Sequence, residues 1–520
     1  MRPVVIGGGF AGLVAAYELA RAGHRPLVLE ARGYTGGLIA ALPVAGTDIL
    51  ADIGAESFAT RGGAVAGLAA DLGLSVAPPA GRSWVLAADG TPIRIPAGIL
   101  GIPGYLDPPG TTGIDDDLRA ALTTDELARA LEDLTMGGDI GADCTDLASF
   151  VTARLGEAVL TKLVAPVAGG IHSAPPSSLA IDVVAPGLRA ATRKYGSLMR
   201  AVTALRQLPT PPPIVAQVVG GMHLLTSALA REIVAAGGEI RTRTGVLGLR
   251  RGAPQQGAGR DDRGEAWLLD VAEMAPARGP HLEPAGPTRE LAADRVIVAC
   301  SGPHALRLLA GALDIEPWDM PEGSPIAHLT MLLRAPALDA APRGSGMLVT
   351  KGAHSAAGAP VGAKALTHMS EKWPWLGEAL RAQLGPHHHL VRLSYGRHGE
   401  PYPQPSVPAA LADLAAMTGA DLAASDVLAH RLIRWDGTLA PPTPQHRANV
   451  SALTKRLAAI PSLAATGAWL AGSGLAAILP HARSAAASLG APTPVDAATP
   501  VDAPTPTSPA PHNARSPRHD

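Results

Sequence analysis

The chain has 520 residues, too many for one hydrophobic core, so two or three sub-domains are expected. Apolar residues make up 47% and charged residues 17%, an ordinary globular mix, while a net charge of −2 without any basic block argues against a nucleic-acid partner. Two cysteines, Cys144 and Cys300, stand in unrelated contexts and give neither a disulfide framework nor a metal-ligand spacing, which suits a reducing cytoplasm. The apolar start from Val4 to Ala20 is broken by Gly7–Gly9 and by Glu18, and no later run reaches the roughly 20 apolar residues of a spanning helix. No transmembrane segment is therefore expected, and at most a peripheral contact with a membrane.

In chain order, Arg2–Ile6 reads as a short buried strand, Leu13–Ala22 as a helix capped by Gly23, and Arg25–Glu30 as a second strand. From Ile102 to Pro213 the pattern is mostly helical, clearest at Asp125–Asp133 and Asp146–Val164, and the turn run Leu208–Pro213 closes it. Met222–Ala236 follows as a helix leading through Gly237 and Gly238 into a strand over Glu239–Leu249. The polar stretches Gly252–Gly264 and Ala275–Pro287 flank a strand-like Ala266–Val271, as in a hairpin with long loops. Arg295–Ala299 is a strand of the buried parallel type, and Ile326–Leu333, Gly346–Val349 and Leu390–Tyr395 suggest an antiparallel sheet. Ser462–Ser488 is the last segment expected to be ordered. Residues 491–520 are rich in Pro, Ala and Thr and bury too little to fold, which predicts a disordered tail.

The run Gly7-Gly8-Gly9-Phe10-Ala11-Gly12 fits GxGxxG between the first strand and the first helix. Gly7 serves the tight turn, Gly9 a close backbone approach to a pyrophosphate, and Gly12 the packing of helix on sheet. The helix N-terminus offers unpaired N–H groups and a positive dipole end to the anion. Glu30 ends the second strand 18 residues after Gly12, where an acid accepts hydrogen bonds from a ribose. On these grounds the ligand is NAD or FAD.

Glu30-Ala31-Arg32 is followed by Gly36-Gly37-Leu38 and then by Asp52-Ile53-Gly54-Ala55-Glu56-Ser57. This resembles the amine-oxidase-like flavoproteins, in which such segments wrap the nucleotide of FAD. The resemblance carries a cofactor role onto Gly7, Gly8, Gly9, Phe10, Ala11, Gly12, Glu30, Ala31, Gly37, Leu38, Gly54, Ala55, Glu56 and Ser57. It adds Val246 on the adenine side, and Gly472-Ser473-Gly474-Leu475 near the isoalloxazine.

Further segments narrow the resemblance to the protoporphyrinogen/coproporphyrinogen III oxidase family. They include Gly54–Arg61, Gly81-Arg82-Ser83-Trp84, Phe150–Val159, Leu163–Ile171, Lys364–Trp373 and Val391–Gly399. The resemblance implies an α/β fold: a Rossmann-type FAD-binding domain with an antiparallel-sheet substrate domain and a helical insertion. The FAD domain is expected at residues 1–75, 219–305 and 430–490, the substrate domain at 76–100 and 306–429, and the insertion at 101–218. The implied reaction is six-electron oxidation of a porphyrinogen to the porphyrin of haem biosynthesis with oxygen as acceptor, in the cytoplasm. Flavin carries that chemistry, so no catalytic side chain is assigned.

A tetrapyrrole substrate bears propionates, and arginine matches a carboxylate with two parallel donors. Arg82 fits the family's propionate-binding position, with an exposed surface arginine as the structural alternative. Gly169 and Gly170 fit a loop against the macrocycle, with a helix C-cap as the alternative. The loop after Gly170 reads Ile171-His172-Ser173-Ala174-Pro175-Pro176 where the family has a Tyr and a Gly-Asp pair, and Leu475-Ala476 replaces Ile-Pro. An amine oxidase, a carotenoid-type desaturase or a non-catalytic flavin/tetrapyrrole-binding protein stay open as alternatives. His387-His388-His389 reads as a solvated loop without a metal, Asp115–Asp117 as a helix N-terminal charge cluster, and Lys364 as family structure or substrate-side charge.

Overall fold

Three-residue strands such as Val4–Ile6 are apolar throughout because both of their faces are covered. The computed structural model describes residues 2–105, 113–172, 174–206, 215–253, 266–277, 281–438 and 443–490. The turn run Leu208–Pro213, most of Gly252–Gly264 and the tail 491–520 lie outside them.

A five-stranded parallel sheet runs Glu239–Arg241, Leu27–Leu29, Val4–Ile6, Val296–Val298, Leu463–Ala465. Alternation divides it. Val5, Val28, Ile297 and Ala464 pack on the helices Phe10–Arg21, His223–Ala235 and Leu475–Ser488. Val4, Ile6, Leu27 and Leu29 face an antiparallel layer, with Val246, Leu249, Trp267 and Leu269, and the helix Gly302–Leu313. The first strand is central, and the sequence-adjacent strand lies on one side of it while Val296–Val298 lies on the other. Such a switch in strand order opens a crevice at the strands' carboxyl ends, where Gly7–Gly12 sits. The fold is α/β, as the sequence implies.

The second sheet has seven strands, in the order Val427–Thr438, Ser324–Arg334, His388–Tyr395, Ala365–His368, Gly346–Val349, Ser83–Leu86, Pro92–Arg94. It is antiparallel except where Gly346–Val349 runs parallel to Ser83–Leu86. One face is apolar and buried under the helix Val407–Thr418 through Leu329, Met331, Val391, Leu393, Leu411, Leu414 and Met417. Val427–Thr438 pairs along nearly its whole length with Ser324–Arg334 and crosses residue 430, the boundary expected from the sequence. Residues 113–172 and 174–206 form helices around Phe150, Leu155, Leu163 and Met199, and Ala87, Ile93 and Ile102 join that core from the sheet edge.

Several expected elements have other bounds in the structure. Asp146–Val164 is not one helix: Gly156, at φ +86° and ψ 169°, ends Leu147–Leu155 and the chain restarts at Glu157. Glu239–Leu249 splits into Glu239–Arg241 and Thr244–Gly252 around Arg243, which has φ +51°. The hairpin around Ala266 exists, but its strand extends over Ala266–Pro276, and Leu282–Pro284 and Arg289–Ala293 pair with it. The histidine triplet is not a solvated loop: His388–Tyr395 is a strand, and His389 is 4% exposed because it enters the sheet. Among the described residues no helix is long and apolar enough to cross a membrane.

Candidate functional site

The glycine loop is shaped by contacts that only glycine permits. A Cβ on Gly12 would lie 1.9 Å from the carbonyl oxygen of Gly7, and one on Gly7, at φ +110°, would lie 2.8 Å from that of Ala299. The helix Phe10–Arg21 begins at Gly9 with no side-chain cap, so its first N–H groups are left to a ligand or solvent. Phe10 and Ala11 are buried in the helix–sheet core. Glu30 holds the loop: one carboxylate oxygen accepts the N–H of Gly8 and the other that of Arg32, each at 2.7 Å. Burial raises its pKa, partly offset by those two N–H groups.

The second wall comes from residues 36–57. A Cβ on Gly54 would sit 2.0 Å from the carbonyl oxygen of Leu38, while the N–H of Ala55 donates to that oxygen at 2.9 Å. Gly36 bridges to Gly9, and Gly37 approaches Gly9 closely, so this wall closes on the glycine loop. Ala31 and Ser57 are partly buried and Leu38 is exposed. Asp52 is buried and accepts the N–H groups of Met222 at 2.8 Å and His223 at 3.3 Å, an anion at the start of the next helix. Val246 is 2% exposed, and its carbonyl accepts from His304 Nε2 at 2.7 Å. Gly472 and Gly474, at φ +91° and +100°, have no heavy atom within 4 Å of a would-be Cβ, and Ser473 is exposed, whereas Leu475 is buried in the core.

Glu56 joins this wall to the large sheet. Its carboxylate receives Arg392 Nη2 at 2.5 Å and the ammonium of Lys372, and Arg392 Nη1 donates to the carbonyl of Gly54 at 3.0 Å. Burial alone would raise the Glu56 pKa; Arg392 and Lys372 outweigh it and bring it down to about 2. His328 donates through Nδ1 to the carbonyl of Ile53 at 3.0 Å, and burial beside Arg392 pushes it down to about 3, so it is neutral. Lys372 and Arg392 lie in segments that carry the family resemblance, but sequence reasoning assigns neither a role. The available signal was a charged residue alternating with Val391 and Leu393 in an apolar strand.

From Arg392 one cross-strand row runs over Thr367 and Gly346 to Ser83, next to Arg82. Three strand spacings make this about 14 Å. Arg82 itself precedes the strand Ser83–Leu86 at the far end of this row. Arg82 is 68% exposed and pairs with Asp117 at 3.1 Å, which also takes Arg94 at 3.3 Å. Asp115 caps the helix Asp116–Ala121, as the charge cluster suggested. Gly170 lies against Leu348, where a Cβ would come within 2.7 Å, and Leu348 pairs with Val85, two residues beyond Ser83. Gly169 lies in the same helix, Ala165–His172, rather than at its cap. Of the loop after it, Ser173 lies outside the described residues. Lys364 has no hydrogen-bond or ion-pair partner among the described residues, and burial next to Arg397 lowers it to about 8.

A doubly covered parallel sheet, a ligand-ready helix start and a second wall that closes on it define a dinucleotide-binding oxidoreductase. The chain belongs to the flavin containing amine oxidoreductase family, whose description matches residues 10–331, more than half of its length. The cofactor is FAD, and the uncapped helix start and the open space at Gly472 and Gly474 fit a flavin dinucleotide. Curated relatives include the coproporphyrinogen III oxidase of Mycobacterium tuberculosis, 27% identical over 93% of this chain and 96% of that protein. That of Mycobacterium leprae is 28% identical over 93% and 97%. Among solved structures, a candidate protoporphyrinogen oxidase from Exiguobacterium sp. 255-15 superposes with TM-score 0.73 at 23% identity, covering 94% of this chain and 98% of that one. Cyclohexylamine oxidase from Brevibacterium oxydans gives 0.58 at 16%, covering 94% and 98%. These two likenesses show the shared fold.

Proposed function

We propose that this chain oxidises a porphyrinogen, with coproporphyrinogen III as the favoured substrate, to the corresponding porphyrin in haem biosynthesis. The observation that carries this reading is similarity to coproporphyrinogen III oxidases over 93% of the chain, spanning both sheets and the helical insertion. A 45% identity to a flavin-containing monoamine oxidase of M. tuberculosis extends over only 14% of the chain and speaks for a shared flavin-binding segment.

Bound FAD would supply three two-electron oxidations, taking hydride at N5 and returning electron pairs to oxygen as peroxide. The protein's part is to hold and orient. Gly7–Gly12 and the uncapped helix start receive the pyrophosphate, and Glu30 retains a lone pair on each oxygen for a ribose hydroxyl. Gly472 and Gly474 give a flat ring unobstructed access to backbone. On the substrate side the cross-strand row Arg392, Thr367, Gly346, Ser83 spans about 14 Å, a length on the scale of a tetrapyrrole. Arg82 at its far end takes a propionate by exchanging Asp117 for it, which its exposure permits. Gly170 backs the same edge against Leu348, with Gly169 preceding it in the same helix.

The test is aerobic incubation of the FAD-loaded protein with coproporphyrinogen III and, separately, protoporphyrinogen IX, following porphyrin fluorescence and peroxide. Porphyrin formation above the enzyme-free rate supports the reading, and the ratio of the two rates names the substrate. No rate above blank with either substrate overturns it.

A further inference from the structure

On the apolar, helix-covered side of the large sheet, the strand Ala365–His368 ends beside the start of His388–Tyr395. This juxtaposes two histidines far apart in sequence. His368 is 1% and His389 4% exposed. Nε2 of His368 faces Nδ1 of His389 at 3.1 Å, with ring centroids 5.1 Å apart. Glu371, on the short helix Met369–Lys372, completes a set whose ligand atoms all lie within 4.8 Å of one another. We propose that His368, Glu371 and His389 form a divalent transition-metal site, for which zinc is the best-fitting ion.

Three features carry this assignment. The first is spacing. Zinc–nitrogen bonds of about 2.0–2.1 Å at a tetrahedral angle put two imidazole nitrogens about 3.3 Å apart. The observed separation of 3.1 Å is close to that value, so the two rings need to turn but not to move apart. The second is orientation of the ligands. Nε2 of His389 donates to Asp339 at 3.0 Å, which leaves Nδ1 with its lone pair directed at the site. Asp339 is itself held by His387 at 2.5 Å. This carboxylate–histidine relay is the arrangement that fixes tautomer and basicity in metal-bound imidazoles. Without metal the Nε2 proton of His368 occupies the gap; metal binding moves it to Nδ1, so no net proton is lost.

The third feature is charge. The two imidazoles share one N–H between Nε2 and Nδ1, an arrangement that presents a nitrogen lone pair to a cation. A divalent ion beside the carboxylates of Glu371 and Asp339 then sums to zero, an acceptable charge for a half-buried place. Two imidazoles and a carboxylate suit zinc, and a fourth position is left for water. Asp339 is 43% exposed, which gives the ion a route in from solvent.

The consequence reaches the flavin side. Met369–Lys372 is only four residues long, too short to be stable alone. A metal on Glu371 would brace it against the two strands, and the next residue, Lys372, is the one that reaches Glu56.

The experiment uses the full-length holoprotein, stripped with chelator and titrated with zinc(II) and, as a spectroscopic probe, cobalt(II). The expectation is one metal per chain, visible d–d bands of low-coordinate cobalt and a zinc-dependent rise in melting temperature. His368→Gln and Glu371→Gln should each abolish the bands, and Asp339→Asn should weaken binding about 10–100-fold. Glu371 is only partly buried, so its variant keeps the test valid if the histidine variant fails to fold. Absence of cobalt bands in the wild type, or metal binding unchanged in both His368→Gln and Glu371→Gln, overturns the site. None of these readouts depends on porphyrinogen turnover.

Discussion

Replacing Glu56 by Gln removes the carboxylate that pairs with both Arg392 and Lys372 where the wall of residues 36–57 meets the large sheet. Its pKa falls from 4.5 to about 2, which corresponds to about 3 kcal/mol of stability at neutral pH. The sign follows from the direction of the shift. A depressed carboxylate pKa contributes fully above the unfolded value and loses that contribution as pH falls through the folded one. About half should be gone near pH 3. At neutral pH Glu56→Gln should therefore cost about 3–5 kcal/mol, since it leaves buried guanidinium uncompensated. Urea unfolding of the two proteins, repeated between about pH 7 and about pH 3, measures the difference. The gap should close steadily below about pH 5. Parallel stability curves across that range would refute the reasoning, because they would mean that the bridge is solvated or dispensable.

Arg154 is fully buried with Asp133, which also accepts Ser197 Oγ and the N–H groups of Leu198 and Met199, so Arg154→Ala should destabilise the helical insertion by about 3–5 kcal/mol. A melting temperature within a degree or two of wild type would contradict this. Gly12→Ala forces a methyl to 1.9 Å from the Gly7 carbonyl oxygen, so the variant should be recovered without flavin absorbance; normal FAD content would show that the loop can shift. Arg82→Ala should raise KM for the porphyrinogen about tenfold with kcat little changed, the mark of lost uniform binding. An unmoved KM would transfer the propionate role elsewhere, with the half-buried Lys364 first in line.

Local rules were enough for the glycine loop, its helix and the strand that follows. A glycine turn between a buried strand and a helix, followed by an acid at the end of the next strand, depends on neighbours within about 30 residues. Gly7, Gly12 and Glu30 accordingly sit where the sequence put them. The large sheet was legible only where strands are long and apolar. Ala365–His368, Ser83–Leu86 and Val427–Thr438 become strands through their partners, and the parallel pairing of Gly346–Val349 with Ser83–Leu86 joins residues some 260 apart. Periodicity carries no information about which strand lies beside which. The same limit hid Glu56–Arg392 and the His368–His389 pair, whose members are 336 and 21 residues apart. Composition, spacing and glycine chemistry therefore determined the class of fold and the shape of its glycine loop. Strand pairing at long range decided which charges and imidazoles meet, because only burial against a distant partner selects them.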